Sequence, residues 1–270
     1  MDDYDFHLKL AKKLAADAGQ TMLKYFNSAA SNPEMKHDRT VVTKADTDIN
    51  SHVIEVLKNE TPGYSIWGEE QSFILKDSKY TWVCDPVDGT MPFSKCLPIS
   101  TFSLALVNSE GHSVLGVVYD PFQDRLYEAV KGHGAFLNGT KISVSETDKL
   151  EGSTIDNEMW INGDEEITFD DPRDVFNKAG VQMTTLCSLV ITGCLVAQGS
   201  YDATIFGNGK PEDIAALAII VTEAGGKVTD LFGEDQRYDT NIKGAIVSNG
   251  KIHDKIIGII KGTNYSSKYM

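Results

Sequence analysis

Tyr80-Thr81-Trp82-Val83-Cys84-Asp85-Pro86-Val87-Asp88-Gly89-Thr90 is the stretch that decides how the rest of the chain is read. Its first five residues form an apolar, β-prone run that predicts a short buried strand. Two carboxylates three residues apart then leave that strand through a proline. Proline cannot donate to a sheet ladder, so the spacing predicts a turn at Pro86. Gly89 and Thr90 follow with backbone N–H groups suited to an anion such as phosphate. Hard oxygen ligands beside an anion cradle are the parts of a Mg²⁺-dependent phosphoryl-transfer site. On this segment alone, an acidic surface turn is the competing reading.

The chain has 270 residues, enough for one large domain or two smaller ones sharing a core. A hydrophobic content of 41% with 24% charged residues is that of an ordinary globular protein. No apolar run approaches the roughly 18 residues of a membrane span. The start, Met1-Asp2-Asp3-Tyr4-Asp5, is acidic where a secretory signal is basic and then apolar, so the expected location is the cytoplasm. With 25 Lys and Arg against 39 Asp and Glu, the net charge is −14. That balance repels nucleic acid and anionic membranes, and neither is an expected partner. Cys84, Cys96, Cys187 and Cys194 lack metal-type spacing and read as free thiols in a reducing compartment.

Working outward, residues 5–26 carry Phe6, Leu10, Leu14, Ala18 and Met22 at helical spacing. A second helix is expected over 45–59, ended by Thr61-Pro62-Gly63. A strand near 64–67 then delivers Gly68-Glu69-Glu70. Strands are expected at 101–107, 113–120 and 125–130, with a hairpin over 136–142 turning at Asn138-Gly139. These elements read as two helices over an antiparallel sheet. Residues 156–172 are polar and acidic, with a break at Asp170-Asp171-Pro172. Helices are expected at 174–179, 189–198, 211–224 and 252–261, and strands at 227–229 and 244–247. The fold class is therefore α+β, with an N-terminal half over 1–148 and a smaller α/β half over 149–270.

Glu69 and Glu70, at a strand end just upstream of Asp85 and Asp88, could reach the same sheet edge. Asp213, in the first turn of the 211–224 helix, either complements the helix dipole or joins them. Two or three Mg²⁺ ions need about four carboxylates plus a carbonyl. Glu69, Asp85, Asp88, Asp213 and the Val87 carbonyl would meet that need.

In these residues the chain resembles the inositol monophosphatase-like family of Mg²⁺-dependent, lithium-sensitive phosphatases. Val42-Thr43-Lys44-Ala45-Asp46 is similar to the family's Val-Thr-x-Ala-Asp. Gly68-Glu69-Glu70 and Trp82 to Thr90 are similar to its Gly-Glu-Glu segment and its most specific signature. Gly134 to Gly139 resembles its hairpin, and Asp213 to Ala216 with Glu223 to Gly226 its C-terminal ligand helix. The resemblance implies a layered αβαβα sugar-phosphatase fold, Mg²⁺ as cofactor (two or three ions, with Mn²⁺ as a substitute), a homodimer, and a small phosphorylated metabolite as substrate. It further implies that Glu69, Asp85 and Val87 hold one metal and that Asp85, Asp88 and Asp213 hold another. Asp88, Gly89, Thr90 and Lys36 would bind phosphate, and Asp46, Glu69 and Thr90 would be catalytic. Glu70 would support Glu69.

Some positions depart from the family pattern. Cys187-Ser188-Leu189 stands where inositol-specific members have Gly-Thr-Ala, Phe206 where they have Glu, and Glu212 where Trp is common. Ser188, Phe206 and Glu212 are accordingly the expected substrate-binding positions. Leu189 and Phe206 offer no hydrogen bonds to ring hydroxyls, so inositol monophosphate is disfavoured. Histidinol phosphate, a nucleotide 3′-phosphate and a fructose bisphosphate remain open. A haloacid-dehalogenase-type site needs one residue between its Asp pair, and here there are two. A non-catalytic, partner-binding relative would be expected to have lost a metal ligand.

Overall fold

Apolar alternation on both faces of the strand around Trp82 demands cover on both sides, and the chain supplies it with helices. The computed structural model describes residues 4–28, 31–37, 40–159, 167–169, 172–207, 210–242, 244–263 and 265–267. The first part contains α1 (Asp5–Tyr25), β1 (Glu34–Met35), β2 (Val41–Val42), α2 (Lys44–Glu60), β3 (Ser65–Gly68), β4 (Tyr80–Asp88) and α3 (Thr90–Ser94). Next come β5 (Thr101–Asn108), β6 (Ser113–Asp120), β7 (Arg125–Val130), β8 (Gly134–Leu137) and β9 (Thr140–Lys141). The remainder is β10 (Thr154–Glu158), β11 (Ile167–Phe169), α4 (Arg173–Lys178), β12 (Gln182–Thr184), α5 (Leu189–Ala197), β13 (Ala203–Phe206), α6 (Pro211–Glu223), β14 (Lys227–Thr229), β15 (Ala245–Ser248), α7 (His253–Lys261) and β16 (Tyr265–Ser267).

A seven-stranded sheet runs β3-β4-β5-β6-β7-β8-β9, and a five-stranded one β12-β10-β13-β15-β14. The layers follow from which residues each strand buries on each side. Trp82, Cys84, Phe102, Leu104 and Leu106 meet Leu14, Met22, Ile49 and Leu57 of α1 and α2. Val83, Ala105, Val107 and Val118 face the other way, onto α5 and α6. Phe206, Ala245 and Val247 of the smaller sheet close that layer from beyond. Ile155, Ile205 and Ile246 cover its far side with Phe176 of α4 and Ile256 and Ile260 of α7. The stack is therefore αβαβα. The central layer draws on residues from both sides of position 148.

Several expectations are corrected. The chain does not turn at Pro86, because β4 continues to Asp88. Its register against β5 steps from Asp85↔Ser103 to Asp88↔Thr101, a bulge of one extra residue. A bulge leaves residues outside the ladder, so the missing Pro86 N–H costs no sheet bond. The large sheet is not wholly antiparallel, since β3 pairs with β4 in parallel, Gly68 opposite Cys84. The polar, acidic stretch from Asp156 begins inside a strand that the sequence did not signal, the interior β10, and β12 and β13 flank it in parallel. The acidic residues Asp156 and Glu158 in β10 hid the signal. The expected break at Asp170-Asp171 lies outside the described residues. The Asn138-Gly139 hairpin forms as expected, with φ of 49° and 76° at its two central residues.

Helix α6 is apolar almost all round and wholly interior, from Ile214 to Val221. Its packing with α5 is close: a Cβ at Gly193 would lie 2.4 Å from Leu217 Cδ1. Leu217→Ala should cost about 2–5 kcal/mol, and Gly193→Ala about 1–3 kcal/mol through overpacking. The double variant should cost clearly less than the sum, because each change relieves the other. Urea unfolding of the three variants measures this coupling, and strict additivity would contradict the packing.

Candidate active site

Parallel pairing of β3 with β4 sets the site. The two strands end at the same sheet edge, and the amide of Glu69 donates to the Cys84 carbonyl at 3.2 Å. Glu69 and Asp85 therefore emerge side by side. The β4 bulge turns Asp88 to the same edge, and the first turn of α6 brings Asp213 to it. Ligand oxygens of Asp85, Asp88 and Asp213 lie within 4.8 Å of one another, as do those of Asp46, Glu69 and Glu70.

Each aspartate is held by a backbone feature. Asp85 accepts the Val87 amide at 2.9 Å. Asp213 accepts the Lys210 amide at 2.6 Å, ahead of the helix that Pro211 starts. Asp88 is gripped at the start of α5, by Leu189 N (3.0 Å), Val190 N (3.1 Å) and the Ser188 hydroxyl. Asp46 caps α2. One of its oxygens accepts both Thr43 N (2.7 Å) and Thr43 Oγ1, and the other accepts Thr90 Oγ1 at 2.9 Å. Gly89 joins β4 to α3 at φ 77°, where a Cβ would press within 3.0 Å of Ser188.

Burial raises these acids. Asp46 and Asp88 are each pushed up to about 6, in both cases chiefly by loss of solvent. Asp85 is raised well above the carboxylate range by burial, then by Glu69, Asp88 and Asp213. Asp213 is raised well above it by burial and then by Glu212. Lys36 answers this charge. Burial opposes its ammonium, but Glu69 (3.0 Å) and Glu70 outweigh that and hold the proton firmly. An all-oxygen donor set, crowded and short of positive charge, suits a hard divalent cation such as Mg²⁺.

Gly89, Thr90, Asp85, Asp88, Glu69, Asp213 and Val87 line one cleft of about 460 Å³. Lys36 bridges Glu69 and Glu70 beside it. Asp46 is fully buried and is linked to the cleft by Thr90. The three expected substrate-binding residues are elsewhere occupied. Ser188 is buried and spends its hydroxyl on Asp88. Phe206 is fully buried in the central core layer, because the strand alternation of β13 points it inward. Glu212 is 4% exposed, accepts the indole N–H of Trp67 at 3.0 Å and does not line the cleft. The walls of the cleft are instead Thr40, Val41, Met91, Cys187 and Leu189. The departure at Cys187-Ser188-Leu189 signalled two of them; Val41 and Met91 join through the contact of α3 with β2.

The sequence pattern of the inositol monophosphatase family matches residues 3–264. The chain belongs to that family. It is 31% identical over 264 residues to fructose-1,6-bisphosphatase/inositol-1-monophosphatase of Aquifex aeolicus, which covers 97% of each chain. It is 32% identical over 266 residues to inositol monophosphatase of Dictyostelium discoideum, covering 93% of this chain and 94% of that one. A histidinol-phosphatase of Chlorobaculum parvum is 29% identical over 260 residues, covering 94% and 96%. Among solved structures, an IMPase of Thermotoga maritima superimposes with a TM-score of 0.84 at 30% identity, over 95% of this chain and 97% of that one. Members so named are phosphoric monoester hydrolases, and the chain is an enzyme of that class. No described helix is long and apolar enough to cross a membrane.

The raised acids give a pH dependence of stability in the absence of metal. Asp46 and Asp88 bind a proton near pH 6 when folded but only near 3.8 when unfolded. In EDTA these two groups together should therefore contribute about 1–2 kcal/mol of added stability as pH falls from about 8 to 5.5. Buried His253, set between Ser248 and Thr229 and pushed down to about 4 by burial, works in the opposite direction below its unfolded value. Asp88→Asn leaves that contribution in place. Thermal unfolding of both proteins across this range should show the variant losing part of the acid-side gain. Identical profiles would contradict the assignment.

Proposed function

We propose that the chain is a Mg²⁺-dependent phosphomonoesterase acting on a small phosphorylated metabolite through directly activated water. The observation that carries this is the convergence of Glu69, Asp85, Asp88 and Asp213 with the Gly89–Thr90 turn on one cleft, with Asp46 and Glu70 grouped beside Glu69. Glu69, Asp85 and the Val87 carbonyl would hold one ion, Asp85, Asp88 and Asp213 a second, and Glu69 with Asp46 or Glu70 would serve a third. When bound, such ions supply Lewis-acid charge to the phosphoryl oxygens and lower the pKa of water.

The chain's own residues supply the rest. The amides of Gly89 and Thr90 offer donors for equatorial phosphoryl oxygens at the start of α3. Thr90 Oγ1 carries one hydrogen and has two acceptors, Asp46 Oδ1 at 2.9 Å and the Val87 carbonyl at 3.0 Å. It can accept from water while passing its own proton to Asp46. With a pKa near 6, Asp46 is suited to take a proton near neutral pH. Lys36, at the same edge, offers a cation to phosphate once Glu69 and Glu70 turn to metal.

The walls bear on the substrate. Val41, Met91, Cys187 and Leu189 present carbon and sulfur, and Thr40 alone among these wall residues has a hydroxyl side chain. This favours an alcohol with an apolar or aromatic face over a polyol. Histidinol phosphate and a nucleotide 3′-phosphate fit that description better than inositol phosphate or a fructose bisphosphate. A homodimer in the cytoplasm accords with the family resemblance and the four free thiols.

A phosphate-release screen with Mg²⁺ or EDTA tests the reading. Turnover should require the metal, and Asp85→Asn should lower kcat by about 10³-fold. Near-normal turnover in that variant would overturn the ligand assignment. Release from no ester would favour a partner-binding protein instead. Within the panel, kcat/KM for histidinol or nucleoside phosphates should exceed that for inositol phosphate by about tenfold or more. Leu189→Ala should narrow the gap, and a preference for inositol phosphate would refute the reading of the walls.

A further inference from the structure

Behind the Cys187 turn lies a pair of acids that the chemistry above does not use. Asp156 and Glu158 stand two residues apart on β10, and so on one face of the smaller sheet. That face looks toward α5, since Thr204, opposite Asp156 on β13, meets Thr192 of α5 at 3.1 Å. Both acids are buried, 0% and 2% exposed. Asp156 Oδ1 accepts from Thr184 Oγ1 at 2.6 Å, and Glu158 Oε1 accepts the Cys187 amide at 2.5 Å. Their other oxygens, Asp156 Oδ2 and Glu158 Oε2, are buried without a donor.

Two adjacent carboxylates with no cation cannot both remain ionised in such a place. No described Lys, Arg or His forms an ion pair with either; the Leu186 amide favours the charged form of both, and the neighbouring Cys187 thiol is itself pushed up by burial and then by Glu158 and Asp156. Burial and then Asp156 push Glu158 up to about 8. A single proton between Oδ2 and Oε2 would convert two orphaned acceptors into one hydrogen bond.

We propose that Asp156 and Glu158 share one proton, and that Glu158 is a positioning residue that fixes the Cys187 turn and, through it, Asp88 and the Leu189 wall. Cys187 sits at φ 59°, a left-handed conformation that a non-glycine residue holds only when its surroundings impose it. Its amide is pinned by Glu158. The next three residues then deliver Ser188 Oγ, Leu189 N and Val190 N to Asp88, and Leu189 to the cleft. Loss of the shared proton on the alkaline side sets like charges against each other beneath the turn and loosens it.

The effect on turnover rests on the phosphatase reading; the shared proton does not. The test uses the full chain with Mg²⁺. Infrared difference spectra near pH 7 should show a protonated carboxyl band that disappears in both Glu158→Gln and Asp156→Asn. Retention of the band in both variants would overturn the pair. With 4-nitrophenyl phosphate as probe, Glu158→Leu should raise KM and the inhibition constant of inorganic phosphate by about tenfold. Glu158→Gln should recover most of that loss, because its amide can accept from Cys187 and donate to Asp156. The wild type should show a rise in KM above about pH 8, and Glu158→Gln should abolish it. A Gln variant as impaired as the Leu variant, with both folded, would overturn the positioning role. If the wild type releases no phosphate, the phosphatase reading fails, and Mg²⁺ affinity by calorimetry carries the same Leu-against-Gln comparison.

Discussion

Mutual repulsion among buried carboxylates is the constraint around which this molecule is arranged. Asp85, Asp88 and Asp213 have ligand oxygens within 4.8 Å of one another, and Asp46, Glu69 and Glu70 form a second such group. In water these side chains would separate. They stay together because each is carried on a rigid element whose position is set elsewhere: β4 between α2 and α6, α5 by its packing on α6, and α6 by near-complete burial. The core thus supplies the free energy that keeps an unfavourable cluster assembled. The cluster's stored repulsion is then available for cation binding.

Helix starts do much of the local positioning. Asp46, Asp88 and Asp213 each accept backbone amides at the beginning of α2, α5 or α6. This fixes their carboxylates without ion pairs, so the charge remains available to a metal. Two lysines act on the cluster: Lys36 sits on Glu69 and Glu70, and Lys210 is held in its charged form by Glu69, Glu212 and Asp213. The exchange of residues around Asp213 has a similar logic. Glu212 stands where the family commonly has Trp, and the indole of Trp67 meets it from β3.

How much could be read in advance depends on whether the deciding interactions were local. Helices α1, α2 and α6, the β5–β8 meander and the Asn138-Gly139 turn follow from periodicity and turn chemistry, which are properties of neighbouring residues. Strand β10 did not, because Asp156, Asn157 and Glu158 carry no apolar alternation. Their burial is made possible by partners 28 or more residues away, Thr184 and the Cys187 amide. Pro86 misled for the same reason. A proline breaks a regular ladder, but only the pairing with β5 reveals a bulge that tolerates it.

The sequence by itself determined the chemical inventory: the proposed ligands Glu69, Asp85, Asp88 and Asp213, the Gly89–Thr90 turn and the family. Their types and spacings suffice because hard-cation and phosphate chemistry permits few alternatives. Tertiary structure decided where Ser188, Phe206 and Glu212 point, and none of the three lines the cleft. It also decided that Val41, Met91, Cys187 and Leu189 form the wall. Side-chain direction at the end of β13 or the start of α5 depends on packing against α6 and the central core layer. That packing joins residues far apart in the chain, and no local pattern encodes it.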